Sequence, residues 1–220
     1  MTHIRLIWLS AVACLAFLHP AVAHPHVWIT MRTGILFDGA GLISGLNMDW
    51  TFDATYTKMA VEGMDSNGDG VLDDNELAPV TKNNLLVLKD YDYFTKVIFG
   101  GKAVALGDVA NYGQVFGNNK LAMHFHLPFK SPVDPRQGPV KLQIYDPDFF
   151  VDLEYDKVSP FKLVGKPPSG CKAELAAAAT GATIDKTRQM LAGKGTDWKP
   201  ENGEDFGSMF AQSLDVKCGS

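Results

Sequence analysis

The sequence predicts an α+β fold, a mainly antiparallel β-sandwich-like domain with an inserted helix–loop–helix. Short runs of β-branched and aromatic residues are set apart by Gly, Asn and Pro turns, which is the pattern of a sandwich. The helical signals flanking an Asp- and Gly-rich loop gather in one stretch, at about residues 53–90, and no strand–helix alternation of the kind that builds a parallel sheet runs through the chain. With 220 residues, 46% of them apolar and 20% charged, there is enough material for one globular core.

The first 23 residues differ from the rest. Arg5 is their only formally charged side chain, and an apolar run over residues 4–18 leads to Ala21-Val22-Ala23, a small-x-small cleavage signature. This is the pattern of a secretory signal peptide, and the run is shorter than the roughly 20 residues needed to span a bilayer. Cleavage after Ala23 is therefore expected, leaving residues 24–220 as a single β-rich domain, periplasmic or secreted, with no transmembrane span. The formal net charge of −5, more acidic once Arg5 has left, argues against nucleic acid as a partner. Cys14 leaves with the leader. Cys171 and Cys218 remain, an even number in an oxidising compartment, so a disulfide that pins the C-terminal strand is expected.

In chain order, residues 26–38 and 42–52 read as strands joined by a hairpin turn around Asp38-Gly39. Asp53 is a good N-cap for a helix over 54–63, and a second helix is expected over 74–89. Strand signals return at 95–99, 102–106, 112–116, 120–127, 140–145, 150–155 and 161–164. Residues 174–180 are alanine-rich, 184–191 suit a helix, 193–207 read as a polar surface loop, and a last strand is expected over 213–218.

Between the two helices, residues 65–76 match a complete twelve-residue EF-hand calcium loop. Asp65, Asn67 and Asp69 supply side-chain oxygens at positions 1, 3 and 5. Val71 offers its carbonyl at position 7, Asp73 acts at position 9 directly or through water, and Glu76 closes the site bidentately. Gly70 at position 6 permits the sharp turn with positive φ. Such a flexible, oxygen-rich loop suits Ca²⁺ better than Mg²⁺. A sensor normally packs a second loop against position 8, here Leu72, and this chain has no second loop. A structural ion is the simpler role.

After leader removal every histidine lies in a His-x-His pair, His24-Pro25-His26 or His124-Phe125-His126. In a strand, residues i and i+2 share a face, so each pair can present two imidazoles together. Leu121, Met123, Phe125 and Leu127 form the apolar face of their strand, which places His124 and His126 opposite the core. Two such pairs can form a site for Zn, Cu, Ni or Co, with Asp146, Asp148 or Asp152 as an added carboxylate. A separate possibility is a copper brace made of the imidazole and free α-amine of His24. The amino-terminal motif with His at position 3 is disfavoured because Pro25 lacks an amide proton.

Residues 24–29 (His-Pro-His-Val-Trp-Ile), Trp50-Thr51-Phe52 before the loop, Tyr91-Asp92-Tyr93-Phe94, the segment 145–152 and the Gly170-Cys171 to Cys218 ending carry a resemblance. Together they resemble an uncharacterised bacterial domain family, of unknown function, labelled as the periplasmic component of an ABC-type transport system and often found beside nickel/cobalt exporters. The resemblance spans nearly the whole mature chain, and it implies a periplasmic location and a membrane metal transporter as partner. The chain is short and strand-rich for a two-lobed solute-capturing protein, so true substrate capture is not expected.

The leading expectation is thus a non-enzymatic, calcium-binding accessory of transition-metal transport or handling. The alternatives are a copper-dependent oxidative enzyme using the His24 brace and a calcium-ordered protein-interaction module. Hydrolase chemistry finds no support, since GxSxG, CxxC and a glycine-rich phosphate loop are all missing from the sequence.

Overall fold

A computed structural model of the chain describes residues 25–195, 198–201 and 204–219. The expected leader, Cys14 and His24 lie outside the described residues.

Period-two alternation drives the first sheet. In β1 (Val27–Phe37), Val27, Ile29 and Met31 are buried while Trp28, Thr30 and Arg32 are exposed. In β2 (Ile43–Phe52) the buried set includes Leu46, Met48, Trp50 and Phe52, and in β6 (Lys120–Val133) it includes Leu121, Met123, Phe125 and Leu127. β1 and β2 form an antiparallel hairpin whose turn is tied by Asp38, the Oδ1 of which accepts the N–H groups of Ala40 and Leu42, each at 2.9 Å. β5 (Ala110–Gly117) and β6 form another hairpin. Its turn residues, Asn118 and Asn119, both have positive φ, the backbone that a tight two-residue hairpin demands. β8 (Val151–Tyr155) and β9 (Phe161–Gly165) both pair with β1 in parallel, at successive positions along it, giving the order β5-β6-β2-β1-β8 with β9 beyond β8 on the same edge.

The second sheet runs β10-β11-β7-β3-β4, made of Lys172–Ala176, Ser213–Lys217, Val140–Ile144, Thr95–Phe99 and Lys102–Ala103. It is antiparallel throughout among the described residues. Val97, Leu142, Ile144, Leu214 and Val216 from this sheet share one apolar core with Met31, Trp50 and Phe125 of the first. The α+β, mostly antiparallel architecture is the expected one. The disulfide is present between Cys171 and Cys218, 47 residues apart, one step beyond the Lys172–Lys217 end of the β10–β11 ladder.

The helical segment follows β2 directly. Asp53 caps α1 (Ala54–Ala60) by accepting the N–H groups of Thr55 and Tyr56, as expected, but α1 stops at Ala60 rather than reaching residue 63. α2 (Asp74–Lys89) has the expected bounds and buries Leu77, Leu85 and Leu88 against the core. Farther on, α3 (Ala182–Ala192) and the short α4 (Gly207–Phe210) build a second apolar cluster around Phe149, Leu191 and Phe210. No described helix is long and apolar enough to cross a membrane.

Three strands also depart from expectation. The strand expected over 102–106 shrinks to the two residues of β4, and Leu106 makes only an isolated bridge to Phe129. β6 runs on past residue 127, since the bulge where Gly45 meets Pro128 absorbs the proline. A Cβ on Gly45 would sit 2.7 Å from the Leu127 carbonyl oxygen, so this close approach needs glycine. The alanine-rich segment contributes β10, an edge strand with no fully buried residue.

Candidate functional site

The loop between α1 and α2 is ordered by its own oxygens. The two Asp65 carboxylate oxygens accept the N–H groups of Gly68 (2.8 Å) and Gly70 (3.0 Å). Asn67 Oδ1 accepts from Asp69 N–H and Asp69 Oδ1 from Val71 N–H, both at 2.8 Å. Gly70 has φ +79°, the left-handed backbone expected at position 6. Asp73 caps α2 through the N–H groups of Asn75 and Glu76.

Glu76 then joins the two ends of the loop. Its Oε2 accepts Asp73 N–H at 3.2 Å, completing a capping box, while Oε1 accepts the N–H and hydroxyl of Ser66 (2.8 and 3.0 Å) and Asn67 N–H (3.3 Å). These donors, Asp73 N–H foremost, hold the Glu76 carboxyl below the usual glutamate range. Asp65, Asn67, Asp69 and Asp73 are exposed, and Leu72 packs against the core. Four carboxylates, the Asn67 amide oxygen and the Val71 carbonyl are the donor chemistry of a hard cation. Among the described residues, however, no three His, Cys, Asp or Glu side chains converge closely enough to hold a metal ion. In the loop the carboxylates are turned onto backbone N–H groups.

The strand alternation places His124 and His126 on the face of β6 away from the core, His124 exposed and His126 half-buried. β2 supplies neighbours that the sequence reading did not single out. His126 is in register with Asn47, and its Nδ1 lies 3.2 Å from Asn47 Oδ1; His124 is in register with Asp49. This contact orients the His126 ring. On the other side, the His124 ring lies over Gly113 of β5, where an added Cβ would come within 2.8 Å of it. His124 also borders a cavity of about 300 Å³ with Asp74, Thr81, Tyr112 and Gln114. Asp74 is position 10 of the loop and the first residue of α2, so the loop and His124 share this cavity wall.

Register keeps the other pair apart. Arg32 of β1 is across from Asp49, which is across from His124. His26 comes six residues before Arg32, about 20 Å away along an extended chain, and two strands over. Its backbone N–H donates to the Phe150 carbonyl at 2.8 Å, and its ring lies tilted against that of Phe150, centroids 4.7 Å apart. The structure therefore does not bring His26 to His124 and His126, and His24 lies outside the described residues.

Two of the carboxylates offered as added ligands, Asp146 and Asp152, are committed elsewhere. Asp146, buried at 3% exposure, accepts the N–H groups of Asp148, Phe150 and Val151 at 2.9–3.0 Å. Burial nevertheless pushes its pKa up. Asp152 lies 3.8 Å from Arg188 of α3, with burial and Glu154 raising its pKa against the pull of that guanidinium. The arginine spreads over the rings of Phe149 and Phe210. Asp148 is the middle of the same turn.

A sequence family described as "Protein of unknown function (DUF1007)" matches residues 9–218. An uncharacterized protein of Haemophilus influenzae is 24% identical over 199 residues, covering 90% of this chain and 92% of its own length. An uncharacterized 15.5 kDa protein from the trpE 3′ region of Spirochaeta aurantia is 29% identical over 99 residues, 45% of this chain and 70% of its own length.

Proposed function

This chain belongs to the DUF1007 family, a family of unknown function, and from its own residues we propose that it is an exported, calcium-ordered accessory protein of transition-metal handling, without catalytic activity of its own. Export is supported by the Cys171–Cys218 disulfide, a bond that persists in oxidising compartments, together with the leader-like first 23 residues.

The observation that carries the calcium reading is Glu76. Its carboxylate already reaches from the start of α2 to the opening of the loop at Ser66 and Asn67, with Gly70 in the turn that folds the two halves together. Asp65, Asn67, Asp69, Val71, Asp73 and Glu76 are the oxygens that would hold the ion. The ion would supply charge neutralisation and order and take part in no reaction. Calorimetric titration of the mature protein tests this: millimolar calcium should bind at one site, and Glu76→Gln should abolish the heat. No uptake by the native chain would overturn the assignment.

The transition-metal reading rests on His124 and His126 on one strand face, with Asn47 orienting His126. Zn, Cu, Ni or Co would take imidazole nitrogen from both, and a membrane metal transporter would be the partner served. Replacing both residues with alanine should remove binding of these ions, while His26→Ala should leave it intact. Equal weak losses from each pair would contradict it.

A further inference from the structure

At one edge of the second sheet, β10 pairs with β11 and with no other strand among the described residues. Which of its backbone groups face outward follows from the ladder. The Tyr145 N–H donates to the Phe94 carbonyl at 2.8 Å, which marks Tyr145, and with it Gln143 and Lys141, as the residues of β7 that bond to β3. Hydrogen bonding alternates along an antiparallel strand, so Leu142 and Val140 bond instead to Leu214 and Val216 of β11. Ser213, Asp215 and Lys217 are then left for Ala176, Glu174 and Lys172 of β10. Ala173 and Leu175 therefore turn their N–H and C=O groups away from β11, onto the open edge.

The charges on this edge are mismatched to their own neighbour. Lys172 lies across from Lys217 and Glu174 across from Asp215, like charges in direct opposition on the face away from the core. None of the four is in an ion pair among the described residues. Charges on an edge strand ordinarily keep other strands off. Here their spacing suits one particular strand, a second β10. Laid antiparallel with a two-fold axis at Ala173, it sets Lys172 against the partner's Glu174 and Glu174 against the partner's Lys172. Axes at Lys172 or Glu174 would oppose like charges, and an axis at Leu175 would set both charges against alanines. The Ala173 axis also uses the outward backbone groups: Ala173 and the partner's Ala173 exchange two N–H to C=O bonds, and Leu175 N–H meets the carbonyl of the partner's Cys171.

We propose that two copies of this chain associate through antiparallel pairing of β10 with β10, continuing the second sheet across a two-fold axis at Ala173. One short strand from each copy buries less than the roughly 1,000 Å² of a stable interface, so the dimer is a transient one. It is independent of the calcium loop and of the histidine pair.

Sedimentation equilibrium of the mature, disulfide-bonded protein at low salt, up to about 1 mM, tests this. The native chain should show a monomer–dimer equilibrium that weakens as salt is added. Lys172→Glu makes both cross-subunit pairs repulsive and should weaken the dimer about tenfold or more. The same change replaces the Lys172–Lys217 opposition with an attractive pair, so the melting temperature should not fall. Adding Glu174→Lys to it should return the affinity to within about threefold of the native value. A native chain that stays monomeric at about 1 mM would overturn the proposal. So would a dimer that Lys172→Glu leaves intact, or one that the double substitution fails to restore.

Discussion

Two acidic turns in this molecule use the same chemistry in opposite settings. In residues 65–76 several exposed carboxylates accept backbone N–H groups around glycines of positive φ. In the turn after β7 one buried carboxylate, Asp146, accepts three N–H groups beneath the cluster of Phe149, Leu191 and Phe210. The first set faces water, which can take over the N–H groups if the oxygens turn to a cation. The second is less readily replaced, because Asp146 is buried at 3% exposure and its donors lie on a half-buried turn, where water has poorer access. Exposure, more than residue type, thus separates a carboxylate free to turn away from one that is a structural clamp.

The largest expected difference between the turns comes from deleting their carboxylates. Asp146→Ala should cost about 3 kcal/mol in urea unfolding, from buried N–H groups left unpaired, whereas Asp65→Ala without calcium should cost less than about 1 kcal/mol. Comparable losses would erase the distinction. Gly70→Ala, forced into φ +79°, should lower stability by about 1 kcal/mol and weaken calcium uptake in the same calorimetric titration. Arg188→Met, which removes the guanidinium from two rings and from Asp152 but keeps much of its stem, should cost about 1 kcal/mol or less in thermal unfolding.

Acid separates the turns by sign. The Glu76 pKa is lowered from 4.5, so its contribution is present above that value and is lost as pH falls through the folded pKa. The Asp146 pKa is raised from 3.8, so its contribution is complete below that value and is lost as pH rises through the folded pKa. The pH dependence of urea stability in Glu76→Gln and Asp146→Asn, each compared with the native chain, should therefore change in opposite directions. Changes of the same sign would break the comparison.

The two turns also differed in how legible they were. The loop of residues 65–76 is local: its oxygen-bearing residues and glycine stand at fixed spacing, and Gly70 has the positive φ that this spacing predicts. Alternation likewise exposes the face of Leu121 to Leu127, and with it the outward side of His124 and His126. Asp146 gave no such signal, because its burial depends on α3 and α4, which arrive from distant sequence. The separation of His26 from His124 was equally hidden, since it follows from the register of β1 on β2 and of β2 on β6. Asn47 and Asp49 escaped notice for the same reason. The parallel pairing of β8 and β9 with β1 is non-local, and β10 lacks a buried apolar run because it is an edge strand held by β11 and the disulfide.

The central claim is that the loop of residues 65–76 takes calcium and gains order from it. The most direct measurement is the melting temperature of the mature protein without calcium and at about 10 mM calcium, beside that of Glu76→Gln. At an affinity of about 10⁻⁴ to 10⁻³ M, typical of extracellular loops of this kind, the ion should add about 1.4–2.7 kcal/mol, or about 3–10 °C for a domain of this size. The native chain should show that rise and Glu76→Gln should not; an unchanged native melting temperature, or an equal rise in both, would contradict the account.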